Sequence, residues 1–129
     1  LGTSGTFVGP SKFLQKVSHG SVECFAVQPD SPFHGLEGMK HMDSAIVPSI
    51  YEPELASEQL EVATEEAFEL INKVAKTQGL LIGPSCAAAL LAAIEYSSKV
   101  DEGVFVVIFP DSGERYLSDA HLWAGGDSI

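Results

Sequence analysis

The chain has 129 residues, 45% of them hydrophobic, enough to bury one modest core and too few for two ordinary domains. Lys and Arg number 7 against 18 Asp and Glu, and the resulting net charge of −11 repels nucleic acid and anionic membrane surfaces. The apolar run Ala87 to Ile94 is too short for a membrane span. The 2 cysteines, Cys24 and Cys86, form no C-x-x-C or Cys/His spacing, so no metal site is expected, and a reducing, cytoplasmic setting is.

In chain order, the first signal is Gly2-Thr3-Ser4-Gly5-Thr6, a glycine and hydroxyl loop running into the amphipathic stretch Phe7 to Val17. Glycines let backbone N–H groups converge, the hydroxyls add donors, and the first helical turn favours a dianion such as phosphate. Cradles of this kind normally follow a strand, whereas only Leu1 stands in front of this one, so the chain reads as starting in mid-domain. Pro10 falls in the first turn of the expected helix and Gly20 can close it.

Val22 to Val27 predicts a strand, stopped by Gln28-Pro29-Asp30-Ser31-Pro32. From Phe33 to Glu58 the sequence shows glycines, prolines, Lys40, His41 and Tyr51 without sustained periodicity, which predicts a long loop. Thr64 is the expected N-cap of a helix over Glu65 to Thr77, with acids early, Lys73 and Lys76 late, and Gly79 after it. Leu80 to Ile82 predicts a short buried strand and Gly83-Pro84 a turn. Ser85 is then expected to cap an alanine- and leucine-rich helix from Cys86 to Ser98. The continuous run Gly103 to Phe109, broken at Pro110-Asp111-Ser112-Gly113, predicts a strand buried on both faces. Alternating helices and strands make the chain α/β.

The loops at 2–6, 83–86 and 110–113 all fall at expected carboxyl ends of strands, where parallel α/β sheets gather their ligand sites. Together they resemble the cysteine synthases, or O-acetylserine sulfhydrylases, among the fold-type II pyridoxal phosphate enzymes. The family's phosphate loop reads GTGGT where this chain has GTSGT. Its ring loop reads G-I-S-S-G-A-A where this chain has GPSCAAA, and its P-[DS]-S-G-E-R-Y-L-S matches PDSGERYLS at 110–118.

The resemblance implies a three-layer, mostly parallel sheet with helices on both faces, partial and tryptophan synthase β-like. Residues 1–119 would form the cofactor-phosphate-binding part and 120–129 an apolar tail around His121-Leu122-Trp123-Ala124. It implies that pyridoxal 5′-phosphate is held through its phosphate by Gly2, Thr3, Ser4, Gly5 and Thr6, with Ser85 at the pyridine nitrogen. A neutral hydroxyl does not keep that nitrogen protonated as a carboxylate would, which leaves the ring a moderate electron sink, adequate for β-replacement. The implied reaction exchanges acetate of O-acetylserine for a sulfur donor, giving L-cysteine, in a homodimeric parent. Sulfide is one donor, and a thiocarboxylate carrier protein meeting Lys40 and His41 is the other.

The family's Schiff-base lysine and substrate-carboxylate loop both precede the phosphate loop, so no catalytic residue is assigned here. Lys12, Lys16, Lys73, Lys76 and Lys99 are read as solvated surface groups, and His19, His34 and His121 as ordinary surface or loop residues. Ser4, Cys86 and Ala87 depart from the motifs; Cys86 is read as a small packing residue, not a nucleophile. A cystathionine β-synthase-like enzyme and a non-catalytic phosphate-binding module are the competing readings.

Overall fold

The computed structural model describes residues 5–30 and 53–116, leaving aside the side chains of 5, 6, 53, 115 and 116. In order these residues form α1 (Gly5–Val17), β1 (Phe25–Pro29), a 3₁₀ turn (Pro53–Leu55), β2 (Glu58–Val62), α2 (Thr64–Gln78), α3 (Pro84–Ser97) and a second 3₁₀ turn (Gly113–Tyr116). The expected loop residues His34, Lys40, His41 and Tyr51, and the tail with His121 and Trp123, lie outside the described residues.

β1 and β2 pair in parallel with Phe25 opposite Glu58 and Pro29 opposite Val62. Two flanking bonds lengthen the ladder: Ser57 N–H donates to Cys24 O at 2.7 Å and Asp30 N–H to Val62 O at 3.0 Å. The strand expected from Val22 begins three residues later, because Ser21, Val22 and Glu23 are exposed and gain nothing from pairing. β2 was not anticipated beyond the loop boundary at Glu58. Its EQLEV sequence is mostly polar, yet Leu60 and Val62 alternate with Glu61 and turn one face inward.

α2 forms where expected, one residue earlier at its start. Ala63, not Thr64, takes the N-cap position, with extended backbone and no side-chain cap bond. Ala67, Ile71 and Val74 follow at helical spacing and are buried. Gly79 ends the helix in the left-handed region at φ 67°, its N–H donating to Ala75 O. α3 also starts earlier: Gly83 is the N-cap, Pro84 opens the first turn, and Ser85 is already helical, so Ser85 does not cap it. Proline's fixed φ suits that first position, where its missing N–H costs nothing.

α3 packs on both strands and on α2. Its buried alanines 87, 88 and 92 let those elements approach closely, and with Cys86 they join Val62, Ala67, Ile71, Val74 and Ile82 in one core. At the other end of α3, Tyr96 leans on Phe25 of β1, ring centroids 4.6 Å apart, and receives Phe105 at 6.3 Å.

α1 covers Gly5–Val17, two residues longer at its start than expected, so Pro10 falls in its second turn. Its close is a 6→1 bond from Gly20 N–H to Gln15 O with His19 in the left-handed region at φ 53°, the position glycine usually takes. Gln15 Nε2 donates to Leu55 O at 2.9 Å, tying α1 to the first 3₁₀ turn.

Two expected strands take another form. Leu80 and Leu81 are exposed, and only Ile82 is buried, in an isolated antiparallel bridge to Ser112. Gly103 to Phe109 forms no ladder among the described residues, and Val104 is 94% exposed. A β-branched run specifies that a segment can be extended; pairing also requires a neighbouring strand, and none of the described strands flanks it.

Gly79→Ala leaves room for the new methyl but forces an alanine into the left-handed region. It should destabilise the chain by about 1 kcal/mol in urea denaturation, whereas His19→Gly should move the midpoint the other way.

Candidate functional site

The ring loop and the 110–113 turn come together. Gly113 N–H donates to Leu81 O at 2.9 Å, and Ser112 Oγ lies 3.5 Å from the same carbonyl, which accepts from it. The Ile82–Ser112 bridge lies between these contacts. Cys86, the third residue of α3, adds a tie from the helix: its thiol faces the carbonyl oxygen of Asp111 at 3.3 Å and Oδ1 of the same residue at 3.4 Å. Two of the three sequence-predicted loops are thus brought to one place.

Ser85 stands in this region, half-buried in the first turn of α3. No described residue engages its hydroxyl. The first helical N–H to be used inside α3 is that of Ala87, which donates to Gly83 O at 3.1 Å. The N–H groups of Ser85 and Cys86 therefore face outward along the axis at the positive end of the helix dipole. A hydroxyl that no described residue engages, beside a helix start and next to a buried glycine turn, can donate to or accept from a polar atom of a ligand.

Gly2, Thr3 and Ser4 lie outside the described residues, and Gly5 and Thr6 open α1. The five lysines read as surface groups, Lys12, Lys16, Lys73, Lys76 and Lys99, are all exposed; Lys99 follows α3 and lies over the Tyr96 ring at 5.8 Å. Among the described residues no cluster of His, Cys, Asp and Glu could hold a metal ion, and no helix is long and apolar enough to cross a membrane. A groove of about 320 Å³ lined by Glu58, Glu61, Tyr96 and Lys99 lies toward the C-terminal end of α3. Eleven residues of helical rise put it about 16 Å from Ser85, so it is not part of this region.

Asp111 is a site residue that the sequence alone does not single out. The signal was the acid inside PDSG, next to a turn that must face a helix start, but a linear sequence gives no indication that its partner is Cys86. The thiol is fully buried, and burial pushes its pKa up, with the Asp111 carboxylate adding to the same direction. A helix N-terminus alone would lower it. Cys86 is therefore a neutral donor at neutral pH and a packing residue, as its sequence position suggested.

A folded-state pKa raised above the unfolded value, about 8.5 for a thiol, favours folding fully below that value and loses the contribution as pH rises through the folded one. Wild-type stability should thus fall more steeply above about pH 8.5 than that of Cys86→Ser, which has no thiol to ionise there. Thermal denaturation from pH 7 to 10 checks this; parallel curves for the two proteins would contradict it.

Comparison with known proteins supplies the chemical context. The chain is 39% identical over 124 residues to the cysteine synthase of Aquifex aeolicus (strain VF5), covering 93% of this chain and 38% of that protein. It is 37% identical over 131 residues to the O-acetylserine dependent cystathionine beta-synthase of Bacillus subtilis (strain 168), covering 97% and 42%. Among solved structures it is similar to O-acetyl serine sulfhydrylase isoform 3 from Entamoeba histolytica, with a TM-score of 0.83, 35% identity, and 94% and 38% of the two chains covered. The chain thus spans about two fifths of the length of these relatives. The α/β architecture with parallel pairing is that of the fold-type II enzymes. Residues 1–111 match the pyridoxal-phosphate dependent enzymes, a stretch that takes in the glycine and hydroxyl loop, Ser85 and the start of the 110–113 turn, and to that family the chain belongs.

Proposed function

We propose that this chain is the phosphate- and ring-binding portion of a cysteine synthase, which replaces the acetate of O-acetylserine by a sulfur donor to give L-cysteine. The observation that carries the reading is the convergence of the GPSCAAA and PDSG loops, with the Ser85 hydroxyl engaged by no described residue beside them. Similarity to enzymes named cysteine synthase supports the same reaction class.

Bound pyridoxal 5′-phosphate supplies an electron sink for loss of an α-proton and departure of a β-substituent. The chain's own residues do three things. Gly2, Thr3, Ser4, Gly5 and Thr6 hold the phosphate by N–H and hydroxyl donors at the start of α1. Ser85 hydrogen-bonds the ring nitrogen as a neutral group, keeping positive charge off the ring and so disfavouring transamination. The buried Gly83 turn and α3 would hold Ser85 in one place for that contact.

The amine that holds the cofactor covalently lies, by the family resemblance, ahead of the phosphate loop, and the exposed lysines described above do not replace it. The 129 residues alone are therefore expected to bind without turning over. The sulfur donor is sulfide or a thiocarboxylate carrier protein reached through Lys40 and His41, and the working enzyme is a cytoplasmic homodimer. The similarity to a cystathionine beta-synthase from Bacillus subtilis supports a second reading, with homocysteine as the acceptor of the same β-replacement.

Titrating pyridoxal 5′-phosphate into the chain should raise its melting temperature by mass action. Ser85→Ala should weaken that binding about fivefold, the worth of about one neutral hydrogen bond, and leave the weaker stabilisation by inorganic phosphate unchanged. No stabilisation by pyridoxal 5′-phosphate would refute the reading, and equal loss for both ligands would remove Ser85 from the ring.

A further inference from the structure

Consecutive helical residues point about 100° apart, so the first turn of α3 can send Cys86 inward while Ser85 stays at the surface. Cys86 is 0% exposed among Val62, Ile71, Ile82 and the α3 alanines. Its sulfur does more than fill volume, since it sits within hydrogen-bond distance of two oxygens of one residue, Asp111. A thiol has one proton, so the carbonyl and the carboxylate share a single donor.

The 110–113 turn is also fastened from the far side, the Ile82–Ser112 bridge and the Gly113 N–H to Leu81 O bond both lying upstream of the helix. Those contacts fix the turn against residues 81–82, and neither of them reaches α3, which starts at Pro84. The Cys86 thiol crosses from the helix itself to the turn.

We propose that Cys86 is a positioning residue, whose thiol clasps Asp111 and so fixes the direction in which the first turn of α3 presents Ser85 to the cofactor ring. The inference rests on the ring-facing role of Ser85, but the clasp exists without any ligand. Burial keeps the thiol protonated at neutral pH, which the clasp requires. The cysteine synthase motif has serine at this place, a hydroxyl donor, so the function of donating is retained by a thiol with a larger, softer atom.

The test uses the whole 129-residue chain and three variants: Cys86→Ser keeps a donor, Cys86→Val keeps bulk without one, and Cys86→Ala removes both. Amide hydrogen exchange at Gly113 reads the clasp without ligand, and a pyridoxal 5′-phosphate titration reads its consequence. In Val and Ala, exchange at Gly113 should rise about fivefold and cofactor affinity should fall by a similar factor, with Ser close to wild type in both. Should Ala and Val fail to fold, the infrared S–H stretch of Cys86 in a Cys24→Ser background decides, a band displaced to low frequency being expected for a donating thiol.

An undisplaced band, or equal Gly113 exchange in Val and Ser, overturns the clasp. Faster exchange in Val with unchanged cofactor affinity overturns the positioning role. A wild-type chain that binds no pyridoxal 5′-phosphate refutes the functional reading instead, and the exchange comparison still decides whether Cys86 holds the turn.

Discussion

The structure depends on how closely α3 can approach its neighbours. A helix bearing alanine at 87, 88 and 92 presents almost no side-chain thickness, so β1, β2 and α2 all reach it and share one core. Larger residues at those positions would push the layers apart and expose Val62, Ile71 and Ile82. This close seat holds both ends of the helix. Cys86 is held against the turn at Asp111, and Tyr96 is packed against Phe25. Ser85 gains its fixed place from that packing rather than from any bond of its own.

Rigid helix, polar tip is the arrangement on which the proposed chemistry relies. A bound ring needs a partner at a constant distance and a phosphate needs converging N–H donors, and both are obtained most cheaply at helix starts. A net charge of −11 does not oppose this, since fixed N–H dipoles act within a few ångströms while the overall field is screened over about 8 Å at physiological salt. The cost falls on specificity of position, which is why a buried thiol next to Ser85 can matter more than its weak donor strength suggests.

Much of this was legible in the sequence, and the reasons differ by element. α2 could be read from Ala67, Leu70, Ile71 and Val74 together with Gly79, because local spacing and a left-handed cap are properties of the segment alone. α3 was legible from composition, although its start was misplaced: Ser85 is a good capping residue, but Pro84 is a better first helical residue and moved the cap to Gly83. β2 was missed because Glu58, Gln59 and Glu61 mask the two apolar positions that matter. The side chains of Gly103 to Phe109 alone predict burial, whereas burial depends on strands beside the segment that no local pattern records. At the candidate site, Ser85 and the PDSG turn were legible as motifs. The Cys86–Asp111 contact was not, since 25 residues separate the pair and only the fold closes that distance.

The central claim is that pyridoxal 5′-phosphate binds where the ring loop and the 110–113 turn meet. At 13.7 kDa the chain suits amide-resolved NMR, and its shifts on addition of pyridoxal 5′-phosphate map the contact directly. The account predicts that the largest changes fall at residues 83–86 and 111–113 together with the 2–6 loop. Changes centred on the groove at Glu58, Glu61 and Tyr96, or scattered over the surface lysines, would contradict it.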